Sequence, residues 1–178
     1  MVVPVLDFIV TGFPRSATTW ASVWLNTQIT HCVHDPLHHW HYTDFDQVLG
    51  SELFTTGISC TGVWHWVDWL NAHPAKKLVL HRGFSDVQNS LVAAGFPQMP
   101  ESDRHGLDNV QGLHVHYADL FNKHTAEHIW NYLVPEPFDA KRHKELVASR
   151  IITRHDPKLL TTPLYKRLCD EVRAMHQG

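Results

Sequence analysis

Apolar and polar positions along the chain alternate between two periods. Residues 6–11 and 77–81, the latter within KKLVLH, are short apolar runs of strand length, and residues 30–33, 57–60 and 113–117 are weaker strand candidates, the last alternating at period two. Between them the spacing is helical. A helix over residues 18–28 places Trp20, Val23, Trp24 and Thr27 on one side, and one over residues 124–133 places Ala126, Ile129, Trp130 and Leu133 at i, i+3, i+4 and i+7. Residues 63–72 and 85–94 read as further helices, the second capped by Ser85 and closed by Gly95-Phe96-Pro97. Asp139 caps another, and Leu164, Leu168 and Val172 mark a C-terminal amphipathic helix. Residues 34–42, with Pro36, read as a loop or a helix entry, and residues 95–112, rich in Pro, Gly and charge, as a mobile loop over a site. Strands alternating with helices predict an α/β protein whose central parallel sheet is covered on both faces, in one domain spanning residues 1–178.

The chemistry is concentrated where the first strand ends. Residues 8–20 read FIVTGFPRSATTW: a strand, a Gly/Pro turn, one arginine, then a hydroxyl cluster opening a helix. The first N–H groups of a helix are unpaired and its dipole is positive at that end, so the turn suits a phosphate or sulfate. The frame resembles a Walker A loop, with Gly12 first, Ala17 at the second glycine and Thr18-Thr19 where Lys-Thr stands. The lysine is absent and a positive charge sits three residues earlier, at Arg15. Alanine at position 17 is compatible with the turn if its φ stays negative.

Pro14-Arg15-Ser16-Ala17-Thr18-Thr19-Trp20 resembles the P-[KR]-S-G-T-T-W loop of the sulfotransferases, Ala17 being the one departure. Two later segments resemble that family in the same order. LVLHRGFSDVQNSL (residues 78–91) places Ser90 eight positions after Arg82, with Asp86-Val87 between them, and VHYADL (residues 115–120) is similar to the family's Y-E-D-L segment. The resemblance covers residues 6–134 and implies a P-loop-like three-layer sandwich that transfers the sulfuryl group of 3′-phosphoadenosine-5′-phosphosulfate (PAPS) to an acceptor. It implies that Arg15, Ser16, Ala17, Thr18 and Thr19 hold the 5′-phosphosulfate end, Arg82 and Ser90 the 3′-phosphate, and Trp20 and Tyr117 the adenine, with adenosine 3′,5′-bisphosphate as product. It also implies that Arg15 compensates the charge on the leaving oxygen and the moving group. The R-K-G-x-x-G segment that many cytosolic members use for the 3′-phosphate has no counterpart.

An acceptor hydroxyl needs a base. Tyrosylprotein sulfotransferases, whose loop also carries arginine, use an acidic residue shortly after the first helix, a place held here by Asp35. Cytosolic members use a histidine, for which His34 and His65 are candidates. The acceptor class stays open among small molecules, sugars and peptides, with Trp40, Trp64, Trp66 and Trp69 either lining its pocket or filling the core. Two other readings compete: a P-loop small-molecule or nucleotide kinase, against which KLVLH ends in His81 and Arg82 rather than a metal-binding carboxylate, and a non-catalytic nucleotide-binding module. His31, His34, His38, His39 and His41 offer a metal site as a further alternative, but without a second cluster at ligand spacing no metal is expected.

Composition narrows the setting. A formal net charge of −3 excludes a wide basic surface for nucleic acid, although sixteen histidines make the chain more cationic in mild acid. Three scattered cysteines predict neither a disulfide framework nor a zinc ribbon and point to a reducing cytoplasm. The N-terminus lacks a basic n-region and carries Pro4 and Asp7, and no apolar run reaches membrane-spanning length, which predicts neither export nor anchoring.

Overall fold

Five strands, β1 (Phe8–Gly12), β2 (Thr30–His34), β3 (Thr55–Cys60), β4 (Lys76–His81) and β5 (Leu113–His116), form a single sheet in the order β2-β3-β1-β4-β5. All four pairings are parallel. The computed structural model describes residues 4–149, 151 and 157–176. Every residue of β1 is buried, as expected for a central strand covered on both faces.

Side chains alternate across β1 and so feed two cores. Phe8 and Val10, with Leu78 and Leu80 of β4, pack under α1 (Thr18–Leu25) and α5 (Lys123–Leu133) through Trp20, Trp24, Leu25, Ile129 and Trp130. Ile9, Ile58 and Val79 face the opposite layer, where Leu70 of α3 (Val67–Ala72) and Val87 and Leu91 of α4 (Phe84–Ala93) close the core. The α/β three-layer arrangement expected from the spacing is therefore the architecture observed. Gly12 is required by packing, because a Cβ there would lie 2.7 Å from the Leu80 carbonyl oxygen on the neighbouring strand.

Several local expectations change. The first helix ends at Leu25 because the Asn26 side chain leaves the helical path to bridge the Ser22 and Cys32 carbonyls, and Val23 faces solvent while Ala21 and Leu25 join the buried face. A short helix, α2 (Phe45–Leu49), follows 3₁₀ turns at Pro36–His38 and Tyr42–Asp44. The N-cap of α4 is Gly83, so Ser85 lies inside the helix and is not its cap. Residues 95–112 are fastened rather than loose: Leu107 and Val110 are buried in the core, and the Gln88 side chain accepts from the Met99 N–H while donating to its carbonyl. A Cβ on Gly106 would run into the Trp64 ring, which shows how closely this segment packs. Asp139 caps α6 (Ala140–Ala148) through the Arg142 N–H, and α7 (Pro163–Met175) buries Leu168, both as the pattern predicts.

One cation ties α6 to α1. The Arg142 guanidinium of α6 donates to the carbonyls of Val23, Trp24 and Asn26, filling acceptors that the end of α1 leaves open. Among the described residues no helix is long and apolar enough to cross a membrane.

Candidate functional site

In an all-parallel sheet every strand ends on the same edge, and the pairing sets Gly12, His34, Cys60, His81 and His116 close to that edge. The next residues therefore emerge together: Arg15 after β1, Asp35 after β2, Thr61 after β3, Arg82 after β4 and Tyr117 after β5. The chain leaves β1 for the α1 face but leaves β3 and β4, its neighbours on either side, for the opposite face. That reversal opens a crevice at the strand ends, the usual ligand position in open α/β sheets.

Arg15 and Arg82 meet in this crevice. Arg82 Nη1 donates to the Arg15 carbonyl at 2.6 Å, and Arg15 Nε donates to Ser90 Oγ at 3.1 Å. The Arg82 guanidinium also lies over the Tyr117 ring, 5.0 Å from its centroid. Four of the residues singled out in three separate segments, Arg15, Arg82, Ser90 and Tyr117, thus form one connected group.

The loop backbone is unusual. Arg15 and Ala17 both adopt left-handed conformations, with φ of 67° and 64°. The expected negative φ at Ala17 is overturned: the residue is the N-cap of α1 in the region glycine favours, without a side-chain cap bond. Each such residue costs on the order of 1 kcal/mol, and the alternation turns successive N–H groups toward one side, as in anion-binding nests. Ser16, between them, is fully buried, and its hydroxyl has no hydrogen-bond partner. Arg82 Nε is likewise buried and unpartnered. Unsatisfied buried donors beside a helix N-terminus are what an oxyanion would complete.

A second group lies across the same edge. Asp35, also left-handed at φ 43°, accepts through Oδ1 from the Thr61 N–H at 2.8 Å and the Thr61 hydroxyl at 3.2 Å. Its Oδ2 faces His34 Nε2 at 3.3 Å, and the same nitrogen lies 3.1 Å from Thr19 Oγ1. Thr19 thereby links the loop of α1 to the His34–Asp35 pair. Thr18 is buried and contributes its carbonyl to Ser59 Oγ at 2.8 Å. Burial, and then the Asp35 carboxylate, push the Cys60 thiol up, and burial alone does so for Cys32, so both are unreactive thiols; all three cysteines are free.

Other candidates lie elsewhere. Trp20 packs edge-on against Phe121 and beside Trp24 and His143, with its N–H donated to the Leu146 carbonyl, so it anchors the core and has little surface for an adenine. Trp64 and Trp66 are buried core residues. His65 groups with Asp103 and His176, not with Arg15. Among the described residues the histidines between positions 31 and 41 do not gather: His31 packs edge-on against Phe54 and His41 bonds to Glu171. Two residues were missed. Thr61 orients Asp35 through the register of β2 on β3, a signal absent from local sequence. Phe121, partly exposed and 6.5 Å from the Tyr117 ring, was hidden at the end of the YADLF segment.

No protein-family model matches the chain, and neither a curated protein nor a solved structure matches it.

Proposed function

We propose that this protein is a sulfotransferase that uses PAPS as donor and an acceptor hydroxyl or amine as recipient. The observation that carries this reading is the convergence of Arg15, Ser90 and Arg82 at one loop. The residues fit the group: Ser16 Oγ and Arg82 Nε are buried donors lacking partners, and Arg15 commits only Nε, leaving the rest of its fork free for an anion. Arg15, Ser16, Thr18, Thr19 and the backbone at Ala17 would hold the 5′-phosphosulfate end, Arg82 and Ser90 the 3′-phosphate, and Tyr117 with Phe121 the base. When bound, PAPS supplies an activated sulfuryl group.

The chain's own residues would do the rest. Arg15 and the first amides of α1 offset charge on the 5′-phosphate oxygen as the sulfur–oxygen bond breaks. His34 is more exposed than Asp35 and has Nδ1 left to accept the acceptor's proton, while Asp35 Oδ2 stabilises the resulting imidazolium through Nε2–H. Thr61 holds Asp35 in place.

Calorimetric titration in EDTA tests the binding half. Adenosine 3′,5′-bisphosphate should bind without metal and lose affinity in Arg82→Ala; binding of ATP only with Mg²⁺, and none of the bisphosphate, would instead mark a kinase. Radiolabelled PAPS offered with phenols, sugars and peptides tests transfer. His34→Asn should retain bisphosphate binding and lose roughly 10²-fold or more in turnover, whereas bisphosphate binding with no transfer to any acceptor would identify a binding module.

A further inference from the structure

The geometry points to a first-row divalent cation site, of the kind zinc occupies, built from His65, Asp103 and His176 and independent of the sulfuryl-transfer reading. The three residues come from distant segments: the 3₁₀ turn after β3 (Val63–Trp66), the turn at Glu101–His105, and the residue closing α7. One ligand atom from each lies within 4.8 Å of the others, and His176 Nε2 stands 3.7 Å from Asp103 Oδ1. Zinc bonds of about 2.0–2.1 Å in tetrahedral geometry separate ligand atoms by roughly 3.3 Å. The site needs a contraction of at most about 1.5 Å, and the half-exposed His176 at the end of its helix can move that far.

A separate observation marks the site as one that takes a ligand. Asp103 is 5% exposed, and its Oδ1 has no hydrogen-bond partner, since 3.7 Å to His176 is too long for one. A buried carboxylate oxygen left in this state is expensive. Its surroundings are also those of a metal-binding form. His65, half-buried, offers a ring nitrogen to the same cluster. Its ring is stacked on Trp64 at 3.7 Å, which fixes its orientation. Two imidazole nitrogens and one carboxylate oxygen suit zinc, with water as a fourth ligand. Such an ion would staple the end of α7 to the segment over Trp64, reinforcing the bond from His41 to Glu171 on the same helix.

The test uses untagged full-length protein stripped with chelator and titrated with ZnCl₂, with MgCl₂ as control. One Zn²⁺ per chain should bind and raise Tm, and His176→Ala and Asp103→Asn should each weaken binding at least tenfold, because even outer-sphere changes at zinc sites cost that much. His39→Ala, in the exposed histidine-rich stretch, should leave binding unchanged. Failure of Zn²⁺ to saturate at one equivalent, or equal affinity in folded His176→Ala, overturns the site. Should either variant fail to fold, the Co²⁺ spectrum of the wild-type protein decides: four-coordinate absorption supports the assignment and a weak six-coordinate spectrum overturns it.

Discussion

Arg82 Nη1 donates to the backbone carbonyl of Arg15 at 2.6 Å, joining the exit of β4 to the loop that follows β1. The contact is a geometric consequence of adjacency, because β1 and β4 are paired with Gly12 opposite Leu80, and both strands release their next residues at the same edge. Arg82 therefore shapes the loop as well as contributing charge. Replacing it with lysine keeps the charge but loses the fork that reaches the Arg15 carbonyl and covers Tyr117. Arg82→Lys should weaken bisphosphate binding by about tenfold, equal to ~1.4 kcal/mol, with little change in urea midpoint. Calorimetry and urea unfolding on the same sample check both halves; unchanged binding would remove Arg82 from the site.

Ala17 offers a sharper test of loop strain. Its φ of 64° is cheap for glycine and costly for alanine, whereas glycine also loses more freedom on folding. The difference predicts that Ala17→Gly stabilises the protein by about 0.5–1 kcal/mol, raising Tm by a few degrees in a calorimetric scan. A lower Tm would show that the left-handed conformation is not held in solution.

Much of this arrangement was legible where signals are local. The apolar run into Gly12, the Pro14-Arg15 turn and the helix after it are all short-range features, and the eight-residue spacing from Arg82 to Ser90 survives into a shared contact with Arg15. What was hidden depends on tertiary packing. Residues 95–112 have the composition of a loop, yet Leu107 and Val110 complete the core beside Trp64, Leu70, Val87 and Leu91. Helix α2 is five residues long, too short to display a period. Ala17's backbone could not be anticipated, since left-handed alanine is uncommon and the resemblance supplied only the identity of the residue it replaces. Thr61 acquires its role from the pairing of His34 with Ser59, a long-range register invisible in either segment alone.

Arg142 makes a prediction about stability rather than binding. Its guanidinium serves three carbonyls at the end of α1, and its removal strands acceptors that are partly shielded from water. Arg142→Ala should cost about 2–3 kcal/mol in urea unfolding, and Arg142→Lys should recover only part of this, because one ammonium cannot reach all three in plane. Since α1 carries the anion loop at its other end, bisphosphate affinity should fall less than stability does. An effect under ~0.5 kcal/mol would mean that water replaces the guanidinium without loss.

His81 and His114 set the response to mild acid. His114 Nε2 lies 2.7 Å from the Val110 carbonyl, which can only accept, so that nitrogen carries the proton and Nδ1 is an acceptor. His81 Nε2–H donates to it at 2.7 Å across stacked rings, an arrangement that needs Nδ1 of His114 unprotonated. Burial first, then His114, with His116 adding to them and Asp108 opposing, hold the His81 imidazole below its ordinary value of 6.5. In the window between that lowered value and 6.5 the unfolded chain binds more protons than the folded one, so stability must fall as pH drops through it. The contribution is present in full above 6.5. Urea midpoints measured from pH 7.5 to 5.0 should therefore decline, and decline less steeply in His81→Asn, which cannot take up the proton. Because the chain carries fifteen other histidines, the informative quantity is the difference between the two slopes. Identical slopes would show that folding does not disfavour the protonated His81 imidazole.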